Sequence, residues 1–232
     1  MNTLKLALCA ATASLAMVGT AALAEDSFSF NVGVASDYVF RGVSQTDEGP
    51  QLFAGWDYGK GIFYAGGWAS NVDFGDGTDI EVDLYAGVKP TVGPVTLDFG
   101  AIYYGYVNAP GGADWNQWEF KAAASVPAGP VTLGAAAYYS PDYTGVGTDN
   151  SLYIEANASF SPAEKWTVSG AVGNQSVDLA GGGSSDYTTW NVGVGYAFTD
   201  KLSADLRWHD NDTDLGGIND GRVALSLKAV LP

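Results

Sequence analysis

From position 27 onward, large apolar residues alternate with small or polar ones almost without a break. Between Trp190 and Phe198 every even position is bulky and apolar, whereas the odd ones are Asn191, Gly193, Gly195 and Ala197. The next stretch keeps the rhythm, with Leu202, Ala204, Leu206 and Trp208 on one side and Ser203, Asp205, Arg207 and His209 on the other. A period of two marks a strand with unlike faces, because successive side chains leave the backbone in opposite directions. Twelve such segments are predicted, at 27–41, 50–58, 61–71, 79–90, 95–106, 115–126, 131–140, 151–160, 166–175, 187–198, 201–209 and 222–231. Five connections are short and carry turn chemistry, among them YGKG, TVGP and PAGP; six are longer, such as VDFGDGTD and DNDTDLGGINDG. Short and long connections alternate, which describes an up-and-down meander with both chain ends on the short-turn side.

Alternation alone fits any half-buried strand, including one in a soluble protein. The composition of the two faces narrows the choice. The apolar face carries no charge in any segment, and its aromatics gather toward segment ends: Phe28 and Phe30 against Tyr38 and Phe40, and Tyr196 and Phe198 against Trp190, with Trp208 on the next segment. These eight residues are read as a lipid-facing girdle. From Phe28 to Tyr38, at about 3.3 Å per residue and a ~45° tilt, the chain rises roughly 23 Å, close to the ~25 Å apolar band of a bacterial barrel. The opposite face is rich in Gly, Ala, Ser, Thr and Asn, small enough for a crowded but wet lumen. The expected fold is therefore all-β, a transmembrane up-and-down antiparallel β-barrel of about twelve strands. A soluble periplasmic β-barrel binding an apolar ligand is the competing reading, with Val192, Val194, Leu202 and Leu206 lining its pocket.

Residues 1–24 carry Lys5, an apolar run and then Ala22-Leu23-Ala24, the form of a cleaved secretory signal peptide, so 25–232 is expected as a single barrel domain. Cys9 leaves with the leader, and thiolate or disulfide chemistry leaves with it. The chain has 26 acidic residues against 10 Lys and Arg. That balance argues against nucleic-acid partners, which need cationic faces. No stretch beyond the leader reaches the roughly 20 apolar residues of a transmembrane helix. No phosphate loop, nucleophile elbow or metal-ligand cluster is legible, so no cofactor and no enzymatic activity are expected. His209 is the one histidine, and Asp210 beside it projects to the other face of a continuing strand.

Three stretches carry a family resemblance: SDYVFRGVSQTD at 36–47, FYAGGWASNVDFGDG at 63–77 and IEVDLYAG at 80–87. They closely resemble the TorF-type porins, short proteobacterial proteins of largely unknown function, most strongly over 36–88. The resemblance implies a barrel in the outer membrane of a Gram-negative bacterium with a porin role, and assigns no substrate or catalytic residue. It also implies outer-membrane lipid and lipopolysaccharide as surroundings, small polar solutes as passengers and the barrel-assembly machinery as a partner during biogenesis. The chain departs from the usual aromatic end of such barrels by finishing Lys228-Ala229-Val230-Leu231-Pro232, with Leu231 read as the last outward residue.

Parity places Asp37, Arg41, Asp57, Glu81, Asp83, Lys89, Asp98, Glu119, Lys121, Glu155, Asp205 and Arg207 on the inner face as candidate lumen or constriction residues. His209, Arg222 and Lys228 share that face. Inner charges either line a conduit or pair across it. Arg41 is expected at the mouth as a tether to acids of adjacent strands, since Asp37, about 13 Å away on the same strand, is out of reach. Gly42 is read as the exit into the first loop. The six long connections hold 14 acids and no Lys or Arg, a rim that would concentrate cations. Asp210, Asp212 and Asp214 have the spacing of a calcium loop, but Leu215 and Gly221 stand where its glycine and glutamate belong. The expected function is porin-like passage of small hydrophilic solutes with weak cation preference; the alternative is a closed barrel with a structural or surface-interaction role.

Overall fold

The computed structural model describes residues 26–111, 115–144 and 147–231. The expected leader with Cys9, Asp114 of the acidic rim and the terminal Pro232 lie outside the described residues. Within them the chain forms β1 (Ser27–Ala35), β2 (Val39–Phe40), β3 (Val43–Ser44), β4 (Gln51–Lys60), β5 (Phe63–Asn71), β6 (Ile80–Val88), β7 (Thr91–Val92) and β8 (Val95–Val107). It continues with β9 (Gln117–Ala128), β10 (Val131–Ser140), β11 (Thr148–Ala163), β12 (Trp166–Leu179), β13 (Ser184–Ala197), β14 (Leu202–Asn211) and β15 (Arg222–Leu231). A single 3₁₀ turn, Gly217–Asn219, lies between the last two strands.

Long strands pair antiparallel with their sequence neighbours throughout, and β1 pairs with both β4 and β15 while β6 pairs with β8. The sheet thus closes on itself as a barrel of twelve strands, in which no ladder of backbone amides is left at an edge. The short β7 only extends the turn before β8, and β2 and β3 pair with each other apart from the wall.

The two faces follow the alternation. Val192, Val194, Leu202 and Leu206 point outward and are exposed, which removes the soluble reading in which they line a pocket. Inside, glycines stand where a neighbouring strand sends a long side chain across them. A Cβ at Gly193 would come within 2.7 Å of the Arg207 guanidinium carbon, so this glycine is what lets Arg207 lie flat on the wall.

Two features depart from the expected segmentation. β11, β12 and β13 run to 16, 14 and 14 residues, longer than their apolar alternation predicts. Asp149, Asp178 and Asp186 therefore stand on strands that project past the apolar zone, and Asp210 likewise belongs to β14. The polar alternation of these extensions (Ser, Thr, Asn, Asp) hides them from an apolar pattern although the ladder hydrogen bonds continue. The second departure is β1, which stops at Ala35 instead of running to Arg41.

Candidate functional site

Beyond Ala35 the chain turns into the barrel. Asp37, 7% exposed, accepts hydrogen bonds from Ser44 Oγ (2.7 Å) and Thr46 Oγ1 (2.9 Å) and pairs with Arg222 at 3.0 Å. The Tyr38 amide donates to Thr46 Oγ1 at 3.1 Å. One buried carboxylate thus folds the segment back on itself, and β2 and β3 form a miniature hairpin. Its two turn residues, Arg41 and Gly42, have φ of 47° and 82°, the left-handed pair that a two-residue turn between right-twisted strands requires. Gly42 is dictated twice over, because a Cβ there would also lie 2.7 Å from Thr189 Oγ1 and 3.0 Å from the Asp210 carbonyl. Gly42 is a turn pressed against β13 and β14, not an exit from the barrel.

This placement corrects the girdle expected from Tyr38 and Phe40. Tyr38 is 5% exposed, with its hydroxyl donating to Glu81 Oε1 at 3.1 Å, and Phe40 meets Tyr104 at 6.1 Å between ring centroids. Both belong to the segment that turns into the barrel. The signal was present in Val39-Phe40-Arg41-Gly42-Val43: a glycine in the second place of a two-residue turn, with apolar residues on both sides, is a hairpin pattern. Phe28, Phe30, Trp190, Phe198 and Trp208 point outward and are exposed; Tyr196 is half-buried between Trp166 and Phe198.

Arg41 crosses the lumen. Its guanidinium makes a forked pair with Glu119, at 2.7 and 2.9 Å, and donates to Gln175 Oε1 at 2.8 Å. The rings of Tyr153, Phe40 and Tyr138 lie 4.3, 4.6 and 5.3 Å from its central carbon. Glu119 is on β9, whereas the strands beside β1 are β4 and β15. The acid that Arg41 meets is therefore on a non-adjacent strand, because the hairpin carries the arginine away from its own wall.

The remaining inner charges form local groups. Lys121 and Lys89 approach Asp98 at 2.7 and 3.7 Å, and Arg207 forks onto Asp205, with further bonds to Asn191 and Ser169. Asp57 takes the Tyr85 hydroxyl at 2.6 Å and Asn31, and Glu155 takes Tyr153 and Asn157. Tyr64 donates to Asp98 and Tyr104 to Glu119. Glu81 and Asp83 are buried side by side on β6, and Asp83 Oδ1 has no hydrogen-bond partner. His209 is buried on β14 opposite Arg222. The sequence reading missed the tyrosines: Tyr64, Tyr85, Tyr104, Tyr138 and Tyr153 occupy inner positions that parity alone would have assigned.

The lumen changes along its axis. Around the hairpin the inner side chains are sealed, with Glu119 and Gln175 at 0% exposure. Toward the short turns the inner residues Thr132, Gly134, Asn157, Ser169 and Ser226 are only half-buried. A cavity of ≈ 50 Å³ opens there between Lys89, Asp98, Lys121, Tyr138, Glu155 and Asn157, room for a few waters.

The calcium-like run does not converge. Asp212 Oδ1 accepts the Thr188 amide at 2.7 Å, Asp210 Oδ1 accepts the neighbouring Asn211 amide, and the Asn211 side chain reaches Gly42 and Asn219 carbonyls. Among the described residues no three His, Cys, Asp or Glu side chains gather as a metal site.

Residues 20–228 match a family described as bacterial proteins of unknown function, Gcw_chp. The chain belongs to the Gcw_chp family. No curated protein matches the sequence. Among solved structures, this Gcw_chp barrel is similar to the COG4313 outer membrane channel from Pseudomonas putida F1, at TM-score 0.58 and 10% identity, over 90% of this chain and 96% of that one. The NanC porin aligns at TM-score 0.56 and 10% identity, over 88% and 98%. A loop-deletion form of OmpT, an outer membrane protein of Vibrio cholerae, aligns at 0.51 and 10% identity, over 89% and 99%. At such identities the likeness establishes the porin-like barrel fold of the Gcw_chp chain.

Proposed function

We propose that the barrel sits in the outer membrane of a Gram-negative bacterium and gives small hydrophilic solutes passive passage, with a weak preference for cations. The observation that carries this reading is how the inner carboxylates are satisfied. Tyr38, Tyr64, Tyr85, Tyr104 and Tyr153 donate phenols to Glu81, Asp98, Asp57, Glu119 and Glu155. A phenol fills an oxygen lone pair without cancelling its charge; Arg41 and Lys121 offset Glu119 and Asp98, whereas Glu81 and Asp57 belong to no ion pair among the described residues and keep the lumen acid-rich. The rim acids act in the same direction through their summed field. The porin and channel among the similar folds and the resemblance to TorF-type porins support the same reading. In this reading residues 1–24 are the export signal, the barrel-assembly machinery inserts the chain, and lipid and lipopolysaccharide meet the outward apolar faces. No cofactor is needed, since width and charge do the selecting.

Planar-bilayer recording of the refolded barrel in a potassium chloride gradient tests it. A reversal potential of the sign for cations is expected; anion preference would overturn it. The sealed packing around Arg41, with Glu119 and Gln175 at 0% exposure, favours a second reading, a closed barrel with a structural or surface-interaction role. In that case the wild type conducts no more than bare lipid.

A further inference from the structure

Positions 81 and 83 send both side chains inward from one strand, with Cα atoms about 7 Å apart. Glu81 is 2% exposed and Asp83 9%. Their neighbours in the sheet register are neutral, and Glu119, the other acid that acts on Asp83, is itself paired with Arg41. Across β5 they stand beside Ser70 and Trp68, across β8 beside Tyr106 and Tyr104, and the hairpin contributes the Tyr38 hydroxyl. The nearby base, Arg41, is committed to Glu119 and Gln175. Among the described residues neither Glu81 nor Asp83 belongs to an ion pair.

Two acceptors are left open in this region. Asp83 Oδ1 is buried without a partner, and so is Oε1 of Gln117, a 5% exposed residue that sits across Tyr104 from Asp83 in the sheet register. Buried oxygens of this kind are rarely left unsatisfied in a folded protein. Carboxylate, phenol and amide oxygens with no nitrogen or sulfur donor suit a hard cation, and two adjacent carboxylates balance one divalent charge.

We infer that Glu81 and Asp83, roofed by Tyr38 of the inserted hairpin, bind a calcium-like divalent cation inside the barrel. Two protein carboxylates with waters completing the shell make a weak, exchangeable site. Such a cation would link the β6 wall to the hairpin through Glu81 and the Tyr38 hydroxyl. The inference deepens the proposed cation preference by naming where a cation rests, and it leans on that reading for its role in passage, not for binding.

Terbium, which replaces calcium and is excited through nearby tyrosine and tryptophan rings, is the probe. Added to the refolded barrel in detergent, it is expected to give sensitised luminescence that calcium displaces. The double substitution Glu81→Gln with Asp83→Asn is expected to abolish the signal, and Tyr38→Phe to weaken binding by about tenfold. Asp212→Asn with Asp214→Asn, in the last long loop, is expected to leave it intact. Circular dichroism and heat-shifted gel mobility check each fold, and Asp83→Asn alone serves if the double variant does not refold. A signal untouched by the β6 substitutions, a signal lost only in the loop variant, or no calcium-displaceable signal at all would overturn the inference, the last pointing to a proton shared by the two acids. A barrel that binds terbium but does not conduct would retain this site and reject the passage; one that conducts cations without binding terbium would do the reverse.

Discussion

Arg41 holds a left-handed backbone, at φ 47°, a conformation that costs an L-residue roughly 1–2 kcal/mol. What offsets this is the forked pair with Glu119, whose side chain has no exposure at all. Removing the guanidinium leaves Glu119 with the Tyr104 phenol and a buried charge. Arg41→Ala is therefore expected to destabilise the barrel by about 3–5 kcal/mol, and Arg41→Lys by less, because an ammonium keeps the positive charge although it cannot fork. Truncating Arg41 and Glu119 together should cost less than the sum of the single changes, by about 0.5–3 kcal/mol. Urea unfolding followed by tryptophan fluorescence measures this, and strict additivity would show that the two side chains do not act as a pair. Parity in the sequence turned Arg41 inward on a strand running to position 41, whereas it is the β2–β3 hairpin that carries it into the lumen. Parity could not say that the partner lies 78 residues away.

At the level of elements, the hairpin of β2 and β3 is what separates a sealed upper lumen from a looser lower one. Its anchors are Asp37 with Arg222 at its base, Arg41 with Glu119 at its tip and the Gly42 carbonyl with Asn211 on the wall. Replacing residues 38–46 by a short glycine-serine link is expected to raise single-channel conductance several-fold while leaving the strand content, read by circular dichroism, unchanged. An unchanged conductance would mean the hairpin is no obstacle. The loop between β5 and β6 provides a pH test at the rim. The Thr78 amide, donating to Asp76 Oδ1 at 2.9 Å, holds this carboxyl below the ordinary aspartate value of 3.8, and the Trp115 indole donates to its other oxygen. A lowered folded value means the contribution is complete above 3.8 and is lost as pH falls through the folded value. The fluorescence difference between wild type and Trp115→Phe should accordingly change only below about pH 3.8. Asp76→Asn should remove that change.

Across the whole molecule, 26 acids against 10 Lys and Arg set a negative field that no single contact produces. Exposed rim charges are screened beyond about 10 Å at 0.1 M salt and about 3 Å at 1 M, whereas buried inner acids are screened far less. Cation preference is thus expected to fall as salt rises but to keep a residue at 1 M. Reversal potentials at a fixed concentration ratio and several absolute concentrations separate the two contributions. A preference that vanishes at 1 M would assign it to the rim alone.

The sequence by itself determined the twelve wall strands, their faces and the alternation of short and long connections, because period-two patterning and turn chemistry are local and every strand obeys the same constraint. It also determined which side chains of the wall strands face inward, since parity survives any tilt or twist of the sheet. Only the tertiary structure decided where the first strand stops, that Tyr38 and Phe40 belong to the lumen and which carboxylate Arg41 finds. The reason is that Asp37 folds the chain back through partners at 44, 46 and 222, and the last of these is beside it only once β1 and β15 have closed the barrel.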